Sequence, residues 1–317
     1  MSDFPTQARV VIIGGGAVGA SALYHLCKAG WTDCLLLEKN ELTAGSTWHA
    51  AGNVPTFSSS WSIMNMQRYS AELYRTLGEA VDYPMNYHVT GSVRLGHTKE
   101  RLQEFQRVVG MGRYQGMDLR LLQPDEIKAI YPFVETHDLL GALYDPYDGD
   151  IDPAQLTQAL AKGARAMGAR IERFCPATGV RREGEDWVVE THKGEIRCEH
   201  VVNAAGLWAR EVGRMVGLEL PVLAMEHMYL ITEDMPEVIE FNKTSGKELM
   251  HCVDFDGEIY IRQERNGMLM GTYEKDCRPW SPIETPWTFG HELLAEDLER
   301  ITNELEIGFR RKRLRRW

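Results

Sequence analysis

The hydrophobic pattern near the N-terminus switches period twice. Residues 8–13 (ARVVII) form an unbroken, β-branched run, the pattern of a strand buried on both faces. Ala22, Leu23, Leu26 and Cys27 then recur at helical spacing, and Gly30 stops the predicted helix. A second apolar run, residues 34–37, ends at Glu38. Further on, Asp152 and Pro153 supply an N-cap and a first-turn proline for a helix through Leu156, Leu160 and Met167, stopped by Gly168. A strand at 169–174, a turn at 176–180, a hairpin (187–191 and 195–198) and a strand at 201–206 follow. Residues 83–147 mix short strands, such as 92–95, with a polar helix at 98–109. Residues 220–272 are strand-rich, with predicted strands at 222–232, 248–253, 258–263 and 268–271. A helix is expected at 293–305.

Between the first strand and first helix lies Gly14-Gly15-Gly16-Ala17-Val18-Gly19, which satisfies G-x-G-x-x-G. Gly14 permits a tight turn, Gly16 lets the backbone approach a pyrophosphate, and Gly19 allows close helix–strand packing. The helix N-terminus offers free N–H groups and a positive dipole to phosphates. Glu38 ends the second strand, where a carboxylate can accept from ribose hydroxyls. Strand, glycines, helix, strand and acid in order specify a dinucleotide site, without choosing between NAD and FAD.

Charge narrows the partners. Of 317 residues, 35 are Lys or Arg and 46 are Asp or Glu, for a net −11. Six of the basic residues fall in residues 310–317 (RRKRLRRW), so the remaining 309 residues hold 29 basic against 46 acidic groups, or −17. A body that acidic is a poor ligand for nucleic acid or anionic lipid. No run approaches the roughly 20 apolar residues of a membrane span, and MSDFPTQARV has no secretory pattern. The six cysteines are scattered without a CxxC pair, so they read as reduced thiols of a cytoplasmic protein, with no metal site expected.

Residues 41–52 (ELTAGSTWHAAG) are rich in small residues; Gly45, Ser46 and Thr47 can lie against a cofactor, with the hydroxyls as donors, or Ser46 or Thr47 can cap a helix. His49 on pattern alone reads first as a hydrogen-bonded core histidine. On the 222–232 strand (VLAMEHMYLIT), His227 shares a face with Met225 and Tyr229. On the EIYIRQ strand, Tyr260 and Arg262 share a face, and Arg262 suits either a substrate carboxylate or a sheet-edge ion pair with Glu264 or Glu258.

STWHAAG following GGGAVG resembles the dimethylglycine and sarcosine dehydrogenase group of the D-amino-acid oxidase-like FAD-dependent oxidoreductases. The resemblance runs from the N-terminus to about Phe309. It implies an α/β (α+β composite) fold, a Rossmann-like FAD-binding domain with an inserted, mostly antiparallel β-sheet substrate domain. The implied division assigns 1–82 and 148–219 to the FAD domain, 83–147 and 220–309 to the substrate domain, and 310–317 to a basic tail foreign to the group. It further implies a covalent bond from His49 to FAD, cofactor contacts near Val180, Ala205 and Gly206, and substrate-handling roles for His227 and Tyr260. No such role carries to Arg262. The implied reaction is oxidation of a small N-methylated amino acid, with hydride passing from the N-methyl carbon to flavin N5. The resulting iminium hydrolyses to formaldehyde and the demethylated amine. Electrons then go to oxygen or an acceptor protein.

Members of the group continue with a third flavin-contacting segment, and many add a folate-binding domain; the expectation from the resemblance is that neither follows Phe309 here. The expectation is therefore a shortened relative whose tail has the composition of a shifted reading frame. The alternatives are a catalytically silent flavin-binding regulator and an inactive fragment.

Overall fold

The computed structural model describes residues 4–311. The buried run at the N-terminus becomes strand Gln7–Ile13, flanked in parallel by Gly194–Asn203 on one side and Cys34–Leu37 on the other. Arg170–Glu172 extends the parallel set, and the Ala177–Glu183/Asp186–Thr191 hairpin completes six strands. Both faces are covered along residues 10–13 and 34–37, which is why those segments carry no polar alternation, whereas Gly194–Asn203 buries Ile196 and Cys198 between exposed Glu195, Arg197 and Glu199. On one face Val10, Ile12 and Leu36 meet Leu23 of helix Ala17–Lys28 and Ala161 and Ala164 of helix Pro153–Ala166. On the other, Val11, Ile13 and Leu35 pack with Val180, Val189 and Val212.

A seven-stranded sheet runs in the order Tyr229–Ile231, Gly267–Thr272, Ile259–Glu264, His251–Asp254, Ser92–Gly96, Gly141–Asp145 and Arg120–Leu122. Every pairing is antiparallel except that of His251–Asp254 with Ser92–Gly96, where the two distant stretches of chain meet. Its core includes Val93, Tyr131, Ile261 and Met270. The architecture is the expected mixed α/β composite. Among the described residues no helix is long and apolar enough to cross a membrane.

Several elements differ from the pattern-based reading. The turn expected at 176–180 is the start of strand Ala177–Glu183, and the strands expected at 195–198 and 201–206 are one strand, Gly194–Asn203. The 222–232 strand is broken: Ala224–Met225 pairs with Pro279–Trp280, Tyr229–Ile231 pairs with Gly267–Thr272, and residues 226–228 belong to neither. Two contacts draw Glu226 away, its amide donating to the Arg278 carbonyl at 2.8 Å and its carbonyl accepting from Arg300 at 3.2 Å. The helix expected at 293–305 starts later. A 3₁₀ turn, Leu298–Ile301, leads into Thr302–Arg311, because the Asp297 carboxylate accepts from the Arg300 amide and sets the start there. Arg310 and Arg311, expected to open a separate tail, instead close this helix. Arg311 is buried, donating to Asp254 at 3.1 Å and to Asp138 at 2.7 Å. The rest of the expected tail, 312–317, lies outside the described residues.

Candidate functional site

A cleft opens where the parallel strands end, lined by the glycine loop, Glu38, the 44–47 segment, Ala205 and Gly206. Gly14 has φ +116°, and a Cβ there would lie 2.3 Å from the Ala204 carbonyl oxygen. A Cβ on Gly19 would sit 1.9 Å from the Gly14 carbonyl oxygen, so helix and strand touch backbone to backbone. Gly16 precedes the helix and faces the Thr47 hydroxyl, which a Cβ would approach to 2.9 Å. The Glu38 carboxylate accepts the Gly15 amide at 2.7 Å and the Asn40 amide at 2.7 Å, which fixes its position beside the loop. Thr47 caps no helix of its own; its hydroxyl accepts the Ala17 amide of the first helix at 3.0 Å. Ser46 is exposed on the cleft wall. Val180 is not at the wall: its side chain is in the core, and Pro176 and Ala177 at the start of that strand line the cleft instead. A backbone cradle that any Cβ would fill, a helix N-terminus and a fixed acid fit a dinucleotide.

One wall was not legible from pattern. Residues 286–292 are strapped across the cleft by groups far away in sequence. Lys39 donates to the carbonyls of Trp287 and Phe289, each at 2.8 Å, and lies 3.9 Å over the Trp208 ring. Trp208 donates to the Pro286 carbonyl at 3.0 Å and packs against Gly45. The ring of His49 stacks near Trp48, with centroids 4.1 Å apart. Its Nε2 lies 2.7 Å from the Glu292 carbonyl, so that nitrogen carries the proton.

The seven-stranded sheet presents the remaining candidates. Arg262 and Tyr260 share a face, but the Arg262 guanidinium is committed. It donates to the Ala51 carbonyl at 2.8 and 3.1 Å and to the Gln263 carbonyl at 2.8 Å, and pairs with Glu264 at 2.8 Å. Its fork pins the 48–54 loop to the sheet and is not free for a substrate carboxylate. Tyr260 is seated over Gly271, where a Cβ would overlap its ring at 2.0 Å. Burial, then neighbouring Tyr273, pushes its hydroxyl above the ordinary phenol range. His227 sits on the excursion between the two short strands, its side chain 55% exposed, with Nδ1 3.3 Å from Glu274 Oε1. Glu274 also lies among the charges that act on Tyr260. Pattern reading missed Glu274 and its neighbour Cys277, which sit some fifty residues from His227. It also missed the pair of Asp150 with His251 at 3.0 Å beside Arg262.

Fold and cleft together define a dinucleotide-binding protein, and the comparisons specify which. The chain belongs to the FAD dependent oxidoreductase family, whose model matches residues 9–316 and so extends through the basic residues that composition set apart. It is 41% identical to mitochondrial dimethylglycine dehydrogenase of Rattus norvegicus over 312 residues, covering 96% of this chain and 36% of the relative. With human mitochondrial sarcosine dehydrogenase the identity is 34%, covering 97% and 33%. The chain thus spans about a third of the length of these relatives. Among solved structures, L-proline dehydrogenase of P. horikoshii superposes with a TM-score of 0.78 at 23% identity, over 96% of this chain and 77% of that one.

Proposed function

We propose that this chain binds FAD along the glycine cleft and oxidises a small N-methylated amino acid of the dimethylglycine or sarcosine type. The names of its relatives support the substrate class. The observation that carries the chemistry is the pairing of a half-exposed His227 with the buried Glu274 carboxylate on the rim of a sheet that also seats Tyr260.

Bound FAD would supply a two-electron acceptor that takes hydride at N5. Gly14, Gly16 and Gly19 would admit the pyrophosphate to backbone range, Glu38 would hold the ribose, and Ser46, Ala205 and Gly206 would flank it. His49 is the proposed covalent attachment. An ammonium cannot readily release hydride from its N-methyl carbon, so the amine must first lose a proton. Tyr260, held as a neutral phenol by its raised pKa, would serve as a hydrogen-bond donor and not as the base. His227, with Nδ1 3.3 Å from the Glu274 carboxylate, would take that proton. The product iminium would then add water and release formaldehyde.

His227→Gln tests the assignment. The expected result is a fall in kcat/KM of about 10²–10⁴-fold, the usual worth of a general base, with flavin content unchanged. Unchanged kcat/KM across pH would remove His227 from the proton path.

A further inference from the structure

The excursion that takes residues 226–228 out of the sheet carries His227 onto a segment that no motif marked. Cys277 Sγ lies 3.7 Å from His227 Nε2 and 4.0 Å from Nδ1, and Glu274 Oε1 lies 3.3 Å from Nδ1. One potential ligand atom from each residue falls within 4.8 Å of the other two. Tetrahedral zinc, with bonds of about 2.0–2.3 Å to nitrogen, oxygen and sulfur, separates its ligand atoms by roughly 3.3–3.8 Å. The three atoms therefore need only small adjustments to share one ion.

A second observation is independent of that spacing. Glu274 is 4% exposed, and its Oε1 has no hydrogen-bond partner, although it is aimed at the imidazole. Its contacts there are ion pairs without hydrogen-bond geometry, with His227 at 3.3 Å and Arg300 at 3.9 Å, and a buried carboxylate oxygen that accepts no hydrogen bond is costly, so a cation is one way to satisfy it. Its other oxygen accepts from the Thr272 hydroxyl at 2.5 Å, which fixes the carboxylate from behind as outer-shell partners of metal ligands do. Cys277 is the one cysteine of the six that is not buried.

We propose that His227, Glu274 and Cys277 form a three-ligand site for a thiophilic divalent cation, zinc by the mixture of thiolate, imidazole and carboxylate. The exposed side of His227 leaves the fourth position to water. Binding would form a metal–sulfur bond and release the thiol proton to solvent. The two anionic ligands balance the ion, and Arg300, 3.9 Å from Oε1, keeps the free cluster from accumulating negative charge. Occupancy would withdraw His227 from the amine; this consequence alone rests on the proposed function.

Cobalt(II) titration of the full chain tests the site. One equivalent should bind and give a thiolate-to-cobalt charge-transfer band that zinc abolishes. Cys277→Ser should lose the band, and Thr272→Val should weaken binding by about 10–100-fold. No band at saturating cobalt, or the same band in Cys277→Ser, would overturn the proposal. Stoichiometric zinc binding with undiminished turnover would leave the site standing and overturn the role given to His227.

Discussion

The hydroxyl of Thr47 accepts the amide N–H of Ala17 at 3.0 Å, across thirty residues of chain. A side chain from the 41–49 segment thus caps the first helix at the end that would face a pyrophosphate. The helix has no side-chain cap from Gly16 itself. Thr47→Val should therefore lower stability by about 1 kcal/mol, the usual loss for a removed cap. The readout is the urea midpoint with and without added FAD, and Thr47→Ser should restore it.

Gly19 tests the backbone contact directly. A Cβ 1.9 Å from the Gly14 carbonyl cannot be accommodated without moving the helix off the strand. Gly19→Ala should cost about 1–3 kcal/mol through overpacking and displace the amides that line the cleft. The expected result is protein with greatly reduced flavin content on purification. Gly110→Ala, at a helical glycine with open space around it and no positive φ, controls for alanine replacement in general.

The Thr302–Arg311 helix is tied down by a cluster with a definite pH dependence. His97 Nε2 lies 3.0 Å from Asp254, and Arg311 bridges Asp254 and Asp138. The hydrogen bond with Asp254 raises the His97 pKa. Its contribution is therefore full below the ordinary histidine pKa of about 6.5 and is lost as pH rises through the higher folded value. Burial opposes ionisation of Asp254, yet His97, the Gly257 amide and Arg311 outweigh it and hold that carboxyl below its ordinary range. Its contribution is present above about pH 4 and lost as pH falls through the depressed value. Stability from this cluster should peak between those limits. In urea melts against pH, His97→Gln should flatten the alkaline limb and also shrink the acid limb, because His97 is foremost among the groups that hold the Asp254 carboxyl down. An unchanged alkaline limb would mean that His97 does not titrate with folding.

His49 bears on cofactor attachment. Wild-type protein loaded with FAD should give a denatured gel band that fluoresces under ultraviolet light, and His49→Ala should give none. Fluorescence surviving in His49→Ala would place the bond elsewhere.

The parts of the site built from contiguous chain were readable in advance. Strand, glycine turn, helix and Glu38 follow one another, so local spacing places them together. What could not be read depends on contacts across long separations. The 286–292 strap has no motif; Lys39, Trp208 and His49 hold it through backbone carbonyls, which any residue type supplies. Period-two alternation placed His227 inside a strand, but Arg300 and Arg278 draw the chain out at Glu226. Arg262 shows the converse. Its residue type suited a substrate carboxylate or an ion pair with Glu264, and the ion pair formed; the bonds to the Ala51 carbonyl became evident only once the loop lay on the sheet. The charge of residues 310–317 misled because composition cannot show that Arg311 has a buried acid, Asp254, and the more exposed Asp138 waiting for it.

The central claim is that the glycine cleft and the His227–Tyr260 face serve one oxidation. Anaerobic addition of dimethylglycine or sarcosine to the FAD-loaded chain measures it most directly, through the flavin absorbance. The account predicts bleaching by at least one of the two, with the same number of carbon equivalents released as formaldehyde, and much slower bleaching in His227→Gln. A fully loaded protein whose absorbance neither substrate changes would contradict it.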